Sequence, residues 1–295
     1  MTAFDVSVWR DHVLARVEAA LSDWVGAGTP DTLAQPMRYA VLDGGKRFRP
    51  LLVQAASDAV SGQAAATLRA ACAVELIHAY SLVHDDMPCM DNDVLRRGKP
   101  TVHVQFGQAS ALLAGDALQA LAFEVLTLDD AVHVATQARL CALLSRAAGS
   151  TGMAGGQAID LASVGLQLTE AQLRQMHRLK TGALLKASVM MGAACGQTTE
   201  QALTQLEVYA DALGLAFQVM DDVLDVTADS ATLGKTAGKD AANDKPTYVS
   251  LLGLDAAREL AMNLYRQASQ ALAQSGLANT HALAALADQV VRRNH

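Results

Sequence analysis

Hydrophobic residues that recur every three or four positions run through much of the chain and predict long helices. The first series defines one face of an N-terminal helix and consists of Val6, Trp9, Val13, Val17 and Leu21. Residues 70–84 are mostly apolar, which predicts a central, buried helix. A third series consists of Leu203, Leu206, Tyr209, Leu213, Phe217 and Met220.

The distribution of proline supports an all-α fold. Five of the six prolines lie at or before Pro100 and the last is Pro246, so none interrupts residues 101–245. Helix formers such as alanine and leucine are frequent in that stretch, and aromatic residues are only 4% of the chain. We therefore expect a bundle of long antiparallel helices. Loops are predicted at residues 26–31, 89–100, 227–245 and 275–280.

No linker or internal repeat divides the pattern, which predicts a single domain over residues 1–295. The net charge is −7, whereas a nucleic-acid-binding protein would be expected to show a basic surplus. The cysteines form no CxxC pair, so a zinc or disulfide framework is not expected and a reducing cytoplasm fits better. The N-terminus lacks the pattern of a signal peptide.

The richest apolar stretch, residues 109–128, raises the question of a membrane span. Asp116 and Glu124 interrupt it. We therefore interpret the stretch as a buried helix and predict no membrane span.

Two groups of aspartates end apolar helices and predict a site for divalent cations. The first aspartate cluster has the pattern DDxxxxD and consists of Asp85, Asp86 and Asp91. The second aspartate cluster has the pattern DDxxD and consists of Asp221, Asp222 and Asp225. In the second, the outer two carboxylates share one helix face and repel each other. Magnesium offers a reason to hold them there, since it takes hard oxygen ligands and bridges carboxylates to substrate phosphates.

A solvated acidic helix end is the competing interpretation of either cluster taken alone, because aspartate is common on protein surfaces. Both clusters, however, end helices that are too apolar to lie on a surface, and both contain an aspartate doublet. The combination favours the metal site.

Cations gather beside glycines at several places and predict contacts with phosphate groups. Residues 44–50, GGKRFRP, place three cations beside two glycines, and residues 96–100 repeat that chemistry. Further cations and a hydroxyl are Lys180, Thr181, Lys235, Lys239 and Lys245. None of these segments matches the GxxxxGK[ST] loop or a GxGxxG turn. Each could be a set of solvated cations, but together they favour more than one polyanionic group.

Two other features are ambiguous by themselves. His78 lies on the apolar helix before the first aspartate cluster, where a lone histidine is more often a core residue than a functional one. Residues 152–161, GMAGGQAIDL, indicate close helix packing or a kink.

These motifs, in this order, resemble the trans-prenyltransferases, the head-to-tail isoprenyl diphosphate synthases. The resemblance covers nearly the whole chain and rests on GGKRFRP at 44–50, HAYSLVHDDMPCMDND at 78–93, LRRGKPTVH at 95–103, GMAGGQAIDL at 152–161, KTGALL at 180–185, FQVMDDVLD at 217–225 and GKTAGKDAANDKPTY at 234–248. The chain looks most like the bacterial farnesyl diphosphate synthase branch, where the first cluster carries two extra residues, here within residues 87–90. The resemblance implies an isoprenoid-synthase bundle around a deep central cavity.

The resemblance also implies roles for individual residues. Three Mg²⁺ ions, for which Mn²⁺ can substitute, would be held by Asp85, Asp86, Asp91, Asp221, Asp222 and Asp225. The allylic diphosphate would be bound by Arg96, Lys180, Thr181, Gln218 and Lys235, with Lys245 as a further substrate-binding residue. Isopentenyl diphosphate would be bound by Gly45, Lys46, Arg49, His78 and Arg97. Tyr80 and Ser81, about one helical turn before the aspartates, would set the product length, although an ordinary core aromatic is the alternative for Tyr80.

The implied reaction joins isopentenyl diphosphate to dimethylallyl or geranyl diphosphate and yields farnesyl diphosphate and free diphosphate. It needs charge stabilisation, positioning and an apolar cavity that excludes water. Two alternatives stay open. A class I terpene cyclase would not need GGKRFRP or His78, and a non-catalytic partner subunit would be expected to have lost ligands.

The family further implies a cytoplasmic homodimer that acts on small diphosphate substrates. The starting allylic substrate stays open between five and ten carbons. The chain ends Arg292-Arg293-Asn294-His295, where related enzymes often finish with lysine, so a role of the C-terminus in closing the site is left open.

Overall fold

The computed structural model describes residues 4–42, 44–127, 130–227 and 246–292, and most of these are helical. The helices before the middle of the chain are α1 (Val6–Trp24), α2 (Asp31–Val41), α3 (Phe48–Ala59), α4 (Ala64–Asp85), α5 (Val102–Phe106), α6 (Gln108–Thr127) and α7 (Val134–Ala148). The later helices are α8 (Met153–Ala162), α9 (Glu170–His177), α10 (Ala183–Ala194), α11 (Glu200–Thr227), α12 (Tyr248–Leu252), α13 (Leu254–Gln274) and α14 (His281–Val291). The predicted all-α fold is confirmed.

Two short elements stand apart from this pattern. An antiparallel hairpin of β1 (Leu95–Arg96) and β2 (Lys99–Pro100) lies between α4 and α5. A five-residue π-helix, Arg178–Gly182, joins α9 to α10 without a break and is called the π-segment below. Neither was predicted, and both carry residues of the candidate site.

Helix α4 is the central helix that the apolar stretch predicts. Cys72, Leu76 and Ile77 have no exposed surface, and α3, α6 and α10 pack around the helix. The helix ends at Asp85, so the core delivers the first aspartate cluster to one end of the bundle.

The N-terminal helix follows its predicted face. The Asp5 carboxylate caps α1 by accepting hydrogen bonds from the amides of Ser7 and Val8 at 2.9 and 3.2 Å. Val13 and Val17 are buried on the side of the core. The helix therefore contributes its apolar stripe to the bundle.

The C-terminal helices support α11, the long helix that carries the second aspartate cluster. Helix α13 packs along α11, and the Tyr209 hydroxyl of α11 donates to the Leu283 carbonyl of α14 at 2.8 Å. Gln201 likewise donates to the Gln274 carbonyl at 3.1 Å. These contacts fix α11 at its N-terminal half and leave its last turns for the site.

The predicted loops agree in part with the structure. The loop over 26–31 is confirmed as the connection into α2, and the loop over 275–280 as the connection between α13 and α14. The prediction of a loop over 89–100 is wrong at its end, where the hairpin forms. Beyond Thr227, the loop predicted over 227–245 lies outside the described residues.

Helix α6 is less buried than predicted. Leu118 is completely buried, but Leu112 and Leu113 on the other face are 47% and 56% exposed. Among the described helices, α4 and α6 have the length and composition of membrane-crossing helices, with 72% and 39% of the relevant stretch buried. The burial of α4 identifies it as a core helix, whereas α6 uses only one face to pack on the bundle.

Candidate active site

The first aspartate cluster is assembled where α4 ends and the chain turns back. The amide of Asp91 donates to the carbonyl of Asp85 at 2.8 Å, and the amide of Asp93 donates to the carbonyl of Asp86 at 3.1 Å. Asn92 takes a left-handed conformation with φ of 50°, which asparagine tolerates. The turn thus compensates for the longer DDxxxxD spacing and brings Asp91 back to the helix end.

The second residue of that cluster is bound by an arginine of the hairpin. The Arg96 guanidinium donates through Nε and Nη2 to the two Asp86 carboxylate oxygens at 2.8 and 2.5 Å. The Asp86 side chain is only 4% exposed, while that of Arg96 is 35% exposed. This two-point, charge-assisted contact holds the short hairpin against the end of α4.

Asp85 lies in an electrostatically crowded position. Burial, opposed by the charges of Lys180 and Arg96 and reinforced by those of Asp91 and Asp86, raises the pKa of its carboxyl to about 6. The π-segment, which carries Lys180, thus acts electrostatically on the end of α4. A carboxylate that is held among like charges in this way suits a bound cation.

The π-segment carries two of the predicted residues to the same place. The Lys180 ammonium donates to the Asp160 carboxylate of α8 at 2.5 Å, and the Thr181 hydroxyl donates to the Gln218 side-chain oxygen at 3.0 Å. A Cβ added to Gly156 would lie 2.1 Å from the Lys180 amide nitrogen. The small residues of GMAGGQAIDL therefore allow a close helix crossing, as predicted from that motif.

The second aspartate cluster lies within the last two turns of α11. Asp222 is 2% exposed and accepts two hydrogen bonds, from Gln218 Nε2 at 2.9 Å and from the backbone amide of Tyr248 at 2.8 Å. Asp225 is also buried, and Asp221 is half-buried. Because Gln218 also accepts from Thr181, this cluster is connected to the π-segment.

The residues predicted for isopentenyl diphosphate form a separate cationic group. Arg97 Nη1 donates to the Gly44 carbonyl at 2.5 Å and lies so close to Gly45 that an added Cβ would be 2.8 Å away. Burial, then the charges of Arg49 and Arg97, hold the pKa of His78 well below its usual value, so this imidazole is neutral. Lys46 is exposed beside them.

Arg47, one of the three cations of GGKRFRP, does not belong to this group. It is 3% exposed and donates to Glu18 of α1 at 2.6 Å, to Glu75 of α4 at 2.8 Å and to the Val41 carbonyl at 2.6 Å. The contacts of Arg47 are thus with the protein itself, and the other cations of the motif are Lys46 and Arg49. The buried carboxylate of Glu75 requires a cation, and Arg47 is the nearest one.

A small cleft of about 50 Å³ lies beside the hairpin. Asp86, Arg96 and Arg97 line it together with Tyr39 and Val102. One residue of the first aspartate cluster and one of the cationic group thus border the same cleft.

The predicted chain-length residues lie one turn below the aspartates. Tyr80 is 8% exposed and meets the His84 ring edge-on, with ring centroids 5.7 Å apart. Ser81 donates to the His78 carbonyl at 2.8 Å. Tyr80 is therefore buried and in ring contact with His84.

The residues present fit a magnesium ion that is completed by substrate. Within the described ranges, no three His, Cys, Asp or Glu side chains converge closely enough to hold a metal by themselves. Magnesium usually keeps waters and uses one or two carboxylates with substrate phosphates, so two groups of aspartates at helix ends match its chemistry.

Some residues were missed and others cannot be placed. Sequence reasoning did not assign Asp160, His177 or Tyr248, although Asp160 stands out as the one acid in GMAGGQAIDL. Lys235 and Lys245 lie outside the described residues.

A helical bundle with two aspartate clusters and two sets of cations defines an enzyme class that acts on diphosphate esters. The Polyprenyl synthetase family profile matches residues 30–279, and the chain belongs to that family. It is thus a trans-prenyltransferase of isoprenoid biosynthesis, and magnesium dependence is a property of the family. The predicted resemblance is confirmed.

The relatives include synthases of different products. The chain is 49% identical to farnesyl diphosphate synthase of Escherichia coli, over 89% of each protein. It is 46% identical to geranylgeranyl pyrophosphate synthase 9 of Arabidopsis thaliana, a chloroplast protein, over 100% of this chain and 83% of that one.

Solved structures show the same fold. An FPP/GFPP synthase from Zymomonas mobilis has a TM-score of 0.86 at 39% identity, over 97% of this chain and 98% of that one. A geranyltransferase from Helicobacter pylori, complexed with magnesium and isoprenyl diphosphate, has a TM-score of 0.87 at 33% identity, over 98% and 99%.

Proposed function

We propose that this prenyltransferase condenses isopentenyl diphosphate with dimethylallyl or geranyl diphosphate and releases farnesyl diphosphate and free diphosphate. One observation carries the proposal. The hydrogen bonds from Thr181 to Gln218 and from Gln218 to Asp222 connect the π-segment to the second aspartate cluster, and the charge of Lys180 in the same segment acts on Asp85 of the first cluster. A single diphosphate group between them would meet carboxylates through metal ions and would meet cations directly.

Three magnesium ions would be held by Asp85, Asp86, Asp91, Asp221, Asp222 and Asp225. The hydrogen bonds that Asp86 and Asp222 accept within the protein orient these two carboxylates. When bound, the ions supply positive charge that favours departure of the allylic diphosphate. Mn²⁺ has similar ligand preferences and can substitute.

The protein groups then divide the work between the two substrates. Arg96, Lys180, Thr181 and Gln218, with Lys235, bind the allylic diphosphate as its bond to carbon breaks. Gly45, Lys46, Arg49, His78 and Arg97 hold isopentenyl diphosphate, and Lys245 is a further substrate-binding residue. The double bond of isopentenyl diphosphate forms the new carbon–carbon bond, and the proton then lost passes to the departing diphosphate. Catalysis is positioning and charge stabilisation in a space closed to water.

Tyr80 carries the assignment of a fifteen-carbon product. The allylic tail must run from the aspartates back along α4, and Tyr80 lies about one turn, or roughly 5.4 Å, below them. Its burial and its contact with the His84 ring support a role of the ring as a floor. A twenty-carbon product is the second candidate, since geranylgeranyl pyrophosphate synthases are among the similar proteins.

The exposed face of α6 supports a homodimer. Leu112 and Leu113 present apolar surface, which α6 would bury against a second copy of the same helix. We place this dimer in the cytoplasm, in line with the four free thiols among the described residues.

Product analysis tests the proposal. Purified enzyme is incubated with Mg²⁺, labelled isopentenyl diphosphate and either allylic substrate, and the products are separated by chromatography. Farnesyl diphosphate is expected, and Tyr80→Ala should shift the product to twenty carbons or more. A cyclic hydrocarbon would indicate a terpene cyclase, and no product would indicate a non-catalytic subunit. A folded, active Tyr80→Ala enzyme that still stops at fifteen carbons would refute the floor assignment.

A further inference from the structure

A closed circuit of contacts connects α9 and the π-segment with α11 and α12. The Thr181 hydroxyl donates to Gln218 at 3.0 Å, and Gln218 donates to Asp222 at 2.9 Å. The backbone amide of Tyr248, the first residue of α12, donates to the other Asp222 oxygen at 2.8 Å. The Tyr248 ring stacks on His177, with ring centroids 5.7 Å apart and an angle of 29°. His177 precedes Thr181 by four residues in one continuous helix, which closes the circuit.

His177 is an unusual residue for the core. It is 7% exposed, and within the described part of the chain neither ring nitrogen has a hydrogen-bond partner. Burial, acting against Asp160 and together with Lys180, lowers its pKa to about 4, so the ring is neutral. A buried polar ring without partners costs stability, so its presence needs another explanation. The stacking contact with Tyr248 provides one.

Tyr248 also uses its ring and its backbone, whereas its hydroxyl makes no hydrogen bond to the described residues. The residue is 1% exposed. Its amide is one of the first N–H groups of a helix, which have no partner inside that helix. Thr247 and Ser250 form a capping box at 3.1 Å that fixes the start of α12. The Tyr248 amide is thus left to bind Asp222.

We propose that His177 and Tyr248 are positioning residues, and that their ring stack holds the start of α12 so that the Tyr248 amide fixes the Asp222 carboxylate. The stack couples the segment that carries Lys180 to the second aspartate cluster. A movement of either segment would therefore displace the other. The inference rests on the proposed function only where it concerns metal binding by that cluster.

Hydrogen exchange of the Tyr248 amide tests the stack in the metal-free protein. His177→Ala removes the ring, and we expect the amide to exchange at least about tenfold faster, since one hydrogen bond to a charged group is weakened. His177→Phe keeps a ring and should restore slow exchange, and Tyr248→Phe should leave it unchanged. Where His177→Ala does not fold, His177→Leu removes the aromatic ring but fills much of its volume.

Metal affinity tests the consequence for the cluster. Free Mn²⁺ is measured by electron paramagnetic resonance in a titration of the protein with inorganic diphosphate present. His177→Ala and Tyr248→Ala should bind Mn²⁺ about tenfold more weakly, and the two phenylalanine variants should stay within about twofold of the parent. Leu206→Ala is the control, because it removes a buried side chain of α11 about four turns from Asp222. It should lower stability without changing Mn²⁺ affinity.

The outcomes separate the two ideas. Unchanged exchange of the Tyr248 amide in His177→Ala would overturn the stacking proposal. Faster exchange with unchanged Mn²⁺ affinity would overturn its link to the aspartate cluster. A parent protein that binds no Mn²⁺ with diphosphate, yet shows the expected exchange, would instead contradict the metal role in the proposed function.

Discussion

The two aspartate clusters both end apolar helices, yet the second aspartate of each cluster, Asp86 or Asp222, accepts hydrogen bonds from different kinds of donor. Asp86 faces the guanidinium of Arg96, which contacts both of its oxygens. Asp222 receives one hydrogen bond from the amide of Gln218 and one from a backbone N–H of α12. Both are buried, and the donors just named are a guanidinium for Asp86 and neutral N–H groups for Asp222.

This difference separates an exchangeable partner from a fixed one. Arg96 is part of a short hairpin, and its side chain is 35% exposed. Its guanidinium can therefore be shared between the Asp86 carboxylate and an incoming phosphate. A backbone amide at a helix start cannot move away without moving the helix. We infer that the first cluster adapts to substrate, whereas the second serves as the rigid side of the site.

The largest expected effect should be the same for both clusters. Asp85→Asn and Asp221→Asn each remove a charge that faces the ions, and we expect kcat to fall about 10²–10³-fold with Mg²⁺ present. Steady-state kinetics with both substrates measures this. Asp255→Asn is a control, because that carboxylate is fully exposed on α13. Full activity of either site variant, or of the parent in excess chelator, would contradict the metal role.

Removal of the exchangeable partner should have the next largest effect. Arg96→Gln leaves Asp86 buried without its cation, and we expect the free energy of unfolding to fall by about 1.5–3 kcal/mol. The KM for the allylic substrate should rise more than the KM for isopentenyl diphosphate. Arg97→Gln is the matched variant, and it should reverse that order of effects. Identical KM changes for the two variants would mean that the two sites have been assigned wrongly.

The crowding at Asp85 predicts a pH dependence in the metal-free protein. Burial and neighbouring carboxylates raise its pKa to about 6, above an unfolded-state value of about 3.9, so protonation favours the folded state. The Asp85 contribution to the free energy of unfolding should therefore rise as pH falls from about 7 to about 4, by about 2 kcal/mol. Urea denaturation in chelator measures it against Asp85→Asn. A difference between the two proteins that does not change with pH would refute the crowding.

The smallest effect should come from one of the two fixed donors of Asp222. Gln218→Leu removes the side-chain amide but leaves the Tyr248 amide in place, so we expect a loss of about 1 kcal/mol in the free energy of unfolding. The kcat should fall by about tenfold, because Thr181 also loses its partner. Gln218→Glu is a useful comparison, since it places a second carboxylate beside Asp222 and should be worse. A Glu variant equal to the Leu variant would show that charge at this position is unimportant.

Sequence periodicity predicted the elements whose burial is decided by their own residues. Helix α4 and helix α11 follow from apolar spacing, and both aspartate clusters were expected at their ends. The prediction failed where a distant partner decides the outcome. The hairpin is held by the contact of Arg96 with Asp86. The exposure of one face of α6 depends on which other surface packs against that face. These contacts have no signature in local spacing.

The contacts of the candidate site could likewise be predicted only in part from local sequence. Gln218 was identified through its motif, but no side-chain pattern could reveal that the Tyr248 backbone amide binds Asp222, because every residue except proline has such a group. Arg47 was counted with Lys46 and Arg49 among the cations of the GGKRFRP motif. Its true partners, Glu18 and Glu75, are separated from it by 29 and 28 residues.

The burial of Arg47 has a consequence for how this enzyme could be tuned. The residue sits in a left-handed conformation with φ of 45°, directly between Lys46 and the start of α3. Its hydrogen bonds to Glu18 on α1 and Glu75 on α4 therefore anchor the GGKRFRP loop to two helices. A substitution at Glu18 would remove one of the two carboxylates that hold Arg47 and so loosen the start of α3. Under the proposed function, selection could adjust the binding of isopentenyl diphosphate through the first helix.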